Sequence, residues 1–209
     1  MNWYDAVKWC NARSEMEGLV PAYHADTAGV VVFRTGQLEL TSAHVNWAGD
    51  GYRLPTEAEW ERASRGGLEG QPYPWGFADA SIRANHWDYA VLIGRAPTGA
   101  FPYTQRVGFF DGTQPGGTSS AANAYGLFDM VGNAWEWTWD RMGDYSAEPQ
   151  VAPRGLDTGE SRVLRGGSWW EFVGQTTNSQ RLPFPPAGDD VYGMTGFRCI
   201  TGLRAHEAP

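Results

Sequence analysis

Residues 125–140 read Tyr-Gly-Leu-Phe-Asp-Met-Val-Gly-Asn-Ala-Trp-Glu-Trp-Thr-Trp-Asp, with two glycines, three tryptophans and three carboxylates in sixteen positions. Asp129 and Glu136 are hard oxygen donors. The Gly132-Asn133 pair between them can turn sharply enough to aim backbone carbonyls at a common centre, which is how a calcium loop is built. Trp135, Trp137 and Trp139 alternate, so an extended segment puts three indoles on one face and Glu136 and Thr138 on the other. The spacing predicts one buried face and one face free to do chemistry. On spacing alone a plainer alternative stays open, a hydrophobic strand after a glycine turn with Asp129 capping the turn and Glu136 exposed.

Around that stretch the chain has the length of one well-buried domain, 209 residues with no linker-like or charge-block division. Eleven Trp, 27 Gly and 13 Pro with 19% charged residues predict a compact, turn-rich fold with sparse regular structure rather than a helical bundle or a disordered chain. A formal charge of −8 disfavours nucleic acid, whose binding draws on clustered Lys and Arg. No apolar run approaches the roughly 20 residues that span a bilayer, and no basic-then-apolar export segment stands at the start. By count alone, Cys10 and Cys199 allow one disulfide or two free buried thiols.

Local patterns place several elements. Trp3, Ala6, Val7 and Cys10 fall at i, i+3, i+4 and i+7, predicting an amphipathic core-packed helix over 3–14. Val30-Val-Val-Phe33 followed by Arg34-Thr-Gly36 suggests a hairpin or a strand and turn. Thr56-Glu-Ala-Glu59 fits a capping box opening a helix that Gly66-Gly67 closes, with Trp60 as its core anchor. Residues 68–124 show no sustained period and read mostly as loop. Residues 142–160 read as a surface excursion before a strand at Arg162, and 203–209 as a frayed tail.

Five motifs then occur in order: Tyr52-Arg-Leu-Pro-Thr-Glu-Ala-Glu-Trp60, Tyr73-Pro-Trp-Gly76, the Gly-Leu-Phe-Asp-Met-Val-Gly-Asn-Ala-Trp-Glu-Trp run, Arg162-Val-Leu-Arg-Gly-Gly-Ser-Trp169 and Gly196-Phe-Arg-Cys199. Together they resemble the formylglycine-generating enzyme (sulfatase-modifying factor) domain family from about residue 3 to residue 202. The resemblance implies a single C-type-lectin-like α+β domain over 1–205 with a tail at 206–209, a few helices around small antiparallel sheets, two calcium sites, and a surface for a peptide or small ligand. Family members usually carry strands before the first helix, so those strands are expected to be missing here or supplied by a partner chain. Asp129, Gly132, Ala134 and Glu136 match one calcium site. Asn85, His86 and Phe101 match three positions of the other, with Gly99 where its acidic ligand belongs. Cys10 and Cys199 match a pair that is a disulfide in animal members, which would place the chain outside the cytoplasm.

Family oxidases convert a substrate cysteine, in a Cys-x-Pro-x-Arg context, to formylglycine with two copper-binding thiolates, soft ligands suited to Cu(I). Counted from Gly166-Gly167-Ser168, those positions hold Glu171 and Thr176, so copper is disfavoured. The superfamily's iron enzymes use three His on a separate helical domain, and His24, His44, His86 and His206 lack that spacing; each reads as a surface or loop residue. No nucleophile elbow, phosphate loop or Cys-x-x-Cys pair occurs. A pocket bordered by Trp135, Ser168, Trp169, Trp170, Glu171, Thr176, Arg181 and Tyr192 remains. The resulting expectation is a calcium-stabilised ligand-binding or regulatory pseudoenzyme. The alternatives are an active oxidoreductase of this superfamily acting on a thiol substrate, and a ligand-display variable protein of a diversity-generating retroelement.

Overall fold

A computed structural model describes residues 1–78, 80–92, 102–113, 118–190 and 192–202. Phe101, Gly99 and the tail from 203 lie outside them. Helix α1 spans Trp3–Met16; the side chain of Asn2 caps it by accepting the Asp5 N–H, and Trp3, Tyr4, Ala6, Val7, Cys10, Asn11 and Ser14 are its buried residues. Helix α2 spans Glu57–Arg65 with the predicted capping box between Thr56 and Glu59, and ends on Gly66 in the left-handed region. Trp60 is 1% exposed, as an anchor should be. A short helix α3, Trp87–Leu92, interrupts the expected loop.

Strands β1 (Trp135–Arg141), β2 (Arg162–Arg165), β3 (Arg181–Phe184) and β4 (Thr195–Gly196) form one sheet in the order β3-β2-β1-β4. The sheet is mixed rather than purely antiparallel, because β4 runs parallel to β1 with Trp135 opposite Thr195. Antiparallel pairing sets Glu136 opposite Arg165 and Arg165 opposite Arg181. The expected hairpin at 30–33 is reduced to an isolated bridge between His24 and Val32, since Val30 and Val31 are exposed and find no surface to pack on.

One expectation fails in an instructive way. All seven residues of β1 are buried, because the sheet is covered on both sides. The indole side meets α1 and the loop around Tyr23: Trp139 packs 5.6 Å from Trp3 and 5.7 Å from Tyr23. Into that aromatic cluster the Arg162 guanidinium inserts 3.8 Å from the Trp3 ring centroid and donates to the carbonyl oxygens of Trp139 and Leu40. The opposite side meets α2, whose Trp60 Nε1 donates to Glu136 at 2.7 Å. Cys10 and Cys199 pack on the same core and stand as free cysteines in the structure, where the resemblance implied a disulfide. Burial pushes both thiols above their usual pKa, and at Cys10 the nearby Cys199 adds to the rise, so each is held as neutral S–H. Among the described residues no helix is long and apolar enough to cross a membrane.

Candidate functional site

The segment before β1 turns through two unusual backbone positions, Asp129 at φ 55° and Asn133 at φ 66°. Gly132 between them has no alternative, since a Cβ there would lie 2.5 Å from the Asn85 carbonyl oxygen. The two expected metal loops are therefore packed against each other. The Asn133 N–H donates to Asn85 O at 2.7 Å, and Asn85 Nδ2 donates to Asn133 Oδ1 and to Tyr103 O. His86 is fully buried, with Nε2 on Ala80 O and Nδ1 accepting from the Tyr89 N–H.

Glu136 is already engaged. Arg198 donates to both its oxygens at 2.6 Å, and the same guanidinium reaches the carbonyls of Phe128 and Asp129. Gly132 O accepts the Ala134 N–H. Asp129 Oδ2 accepts the Gly108 N–H at 2.6 Å, and burial raises its pKa above the usual value. Among the described residues no group of three or more His, Cys, Asp or Glu converges as a metal site. As placed, the loop satisfies Glu136 with Arg198, so a hard cation would have to compete with a guanidinium. Arg198 was legible as part of the Gly-Phe-Arg-Cys motif, but its partner 62 positions away was not.

At the N-terminal end of β1 the Gly-Gly-Ser-Trp turn comes alongside. Glu171 accepts from Trp135 Nε1 at 3.0 Å, from the Ser168 N–H at 2.8 Å and from the Ser168 hydroxyl. Its own carbonyl accepts the Trp87 N–H. Thr176 is fully buried and donates to Val173 O at 2.9 Å. At the two positions that the resemblance matches to the family's thiolates, Glu171 pins the turn to the sheet and Thr176 packs beneath Gly167. Around them Tyr103, Trp169, Trp170 and Trp87 form a continuous edge-to-face ladder, with ring centroids 5.0, 5.4 and 5.1 Å apart. Trp170, Phe172 and Tyr192 are about half exposed, whereas Trp169 is buried. The result is an aromatic surface suited to apolar or π-rich groups.

Arg181 does not belong to that surface. It sits on β3 and donates to both oxygens of Glu57, at 2.6 and 2.9 Å, beneath the Tyr145 ring. It lines a separate cleft of about 710 Å³ between α2 and the loop 142–160. Sequence reasoning missed this cleft because its walls come from three stretches far apart in the chain, 57–65, 140–156 and Arg181.

The family described as the sulfatase-modifying factor enzyme 1-like domain matches residues 1–203. The chain is 37% identical over 176 residues to an inactive C-alpha-formylglycine-generating enzyme 2 of Bos taurus, an alignment covering 79% of this chain and 52% of that protein. It is 42% identical over 165 residues to a formylglycine-generating enzyme of Bos taurus, covering 75% of this chain and 40% of that one. Treponema denticola variable protein 1 superposes with a TM-score of 0.66 at 27% identity, covering 95% of this chain and 68% of that structure. The chain spans about half the length of the first of these relatives.

Proposed function

The chain belongs to the family of sulfatase-modifying factor enzyme 1-like domains, and from that premise we propose that it is a non-oxidising member, a binding or regulatory module for a peptide or small ligand. The observation that carries the reading is Glu171. A copper oxidase needs a thiolate pair, whereas this chain places there a carboxylate with three hydrogen-bond donors and a buried threonine. The half-exposed Trp170, Phe172 and Tyr192 would contact the ligand. Likeness to a relative named as inactive agrees with this.

The test is direct. Copper-loaded protein incubated with a Cys-x-Pro-x-Arg peptide is expected to leave the substrate cysteine unchanged by mass. Conversion well above a no-protein control would replace this reading with that of an active thiol oxidoreductase. Calcium at Asp129, Gly132, Ala134 and Glu136 is the finer part of the proposal. Asp129 Oδ1, which has no hydrogen-bond partner among the described residues, supports it, and Arg198 on Glu136 opposes it. A melting temperature unchanged by EDTA, together with an Asp129→Ala variant that ignores calcium, would remove that part alone.

Ligand display is a second reading, favoured by the likeness to a protein named as variable and by the exposure of the same aromatic surface. A neighbouring reverse transcriptase gene with a near-copy of the coding segment for 170–195 would establish it.

A further inference from the structure

Beside the larger cleft lies a second one of about 400 Å³, bounded by the first two turns of α2, by Trp47 and Arg53, and by the loop that carries Ala152 to Arg154. Three of its four charged lining residues are arginines, in a chain that has 24 Asp and Glu against 16 Lys and Arg. The fourth is Glu59, and Arg53 donates to both of its oxygens at 2.7 Å, so that pair is closed on itself. Arg62 and Arg154 make no ion pair and no side-chain hydrogen bond among the described residues. Acids nearby are engaged elsewhere: Glu57 with Arg181, Glu61 with Arg65 and Arg165, and Asp157 with the N–H and hydroxyl of Ser42. Asp144 and Glu148 are exposed on the larger cleft and do not line this one. Two positive charges are left uncompensated in it.

A second observation is that Arg154 is held in place. Its carbonyl oxygen accepts from the Nε1 of buried Trp139 at 3.1 Å, which ties the loop to β1. Its guanidinium lies 4.9 Å from the centroid of the Trp47 ring, and that of Arg53 lies 5.1 Å from the same ring. Stacking on an indole fixes the plane of a guanidinium and leaves its N–H edge free to donate. The loop enters this arrangement through Ala152 at φ 46°, one of three non-glycine residues in the left-handed region among the described residues. Such a backbone costs free energy, as does gathering like charges on one wall, and neither is offset by an acid of this chain.

We propose that this cleft binds a phosphate dianion, with Arg62 and Arg154 as its donors. A single carboxylate occupies one guanidinium fork and neutralises one charge, whereas a phosphate group carries about two negative charges and enough oxygens for both arginines. Thr56 and Ala58 bring the positive N-terminal end of α2 to the same cleft. Free phosphate and the phosphate monoester of a small molecule both present that group. The site is separate from the aromatic surface, so either assignment can fail alone.

Calorimetric titration of the whole chain with inorganic phosphate, and separately with phenyl phosphate, tests the assignment. One-site saturable binding is expected, weakened about tenfold in Arg62→Gln and in Arg154→Gln and unchanged in Arg106→Gln, an exposed arginine outside the cleft lining. Both cleft arginines are exposed, so the variants should fold. Should Arg154→Gln loosen its loop, Arg62→Gln, whose side chain has no hydrogen bond to lose, decides. Tighter phenyl phosphate binding identifies a monoester, and tighter inorganic phosphate binding the free ion. The proposal is overturned by no saturable binding of either probe, by unchanged affinity in Arg62→Gln, by an equal loss in Arg106→Gln, or by acetate binding as tightly as phosphate.

Discussion

The two ends of β1 handle a carboxylate in opposite ways. At its N-terminal end Glu171 receives three hydrogen bonds and staples the Gly-Gly-Ser-Trp turn to Trp135. At its C-terminal end Asp140 receives one, from the Glu57 N–H. A carboxylate whose acceptor capacity is filled by its own chain is spent on structure, whereas one buried with a single donor carries a desolvation cost that raises its pKa. The position that the resemblance assigns to family chemistry carries a hydrogen-bonded staple, and the other strand end a helix cap.

The contrast can be broken by mutation. The largest effect is expected at Glu57, where Arg181 and Tyr145 converge and the fully buried Arg165 lies 3.6 Å away. Glu57→Ala removes both carboxylate acceptors of Arg181 and one of the two charges beside Arg165, which keeps Glu61, so denaturant titration should show a loss of about 3 kcal/mol. Glu171→Ala should cost about 2 kcal/mol, because three donors lose their acceptor, and Glu171→Gln less, because one amide oxygen remains. A neutral Glu171→Ala would mean that the aromatic end does not need its staple, and the comparison would fail.

Asp140→Asn is expected to move the other way. The folded pKa of about 6 lies above the ordinary 3.8, so the favourable contribution of the protonated acid is fully present below about 3.8 and is lost as pH rises through 6. That difference corresponds to at most about 3 kcal/mol at neutral pH. The asparagine variant should therefore melt higher than the parent at neutral pH, with the difference shrinking steadily as pH falls from 6 and vanishing only below about 3.8. A variant that melts lower at neutral pH would make Asp140 a purely structural cap. The smallest stability effect is expected at Trp170, 46% exposed. Trp170→Ala should change stability by less than about 1 kcal/mol while weakening any ligand held by the aromatic surface.

Much of the scaffold was legible. The caps and faces of α1 and α2 depend on contacts within a few residues, such as Thr56 with Glu59, and those leave a pattern in the chain. The alternation in β1 was read correctly as a strand and wrongly as half exposed. Its polar face is covered by Trp60 and Arg198, which come from 76 and 62 positions away. Arg181 was expected to border the pocket of Ser168 and Glu171. Pairing of β3 with β2 instead set it beside Arg165, facing Glu57 across 124 positions.

The sequence by itself determined the family, through five ordered motifs, because motif order is a matter of residue identity. Only the tertiary structure decided which carboxylates are satisfied and which are open. A side chain's remaining hydrogen-bonding capacity depends on partners that the fold brings from far along the chain, and no local pattern records them.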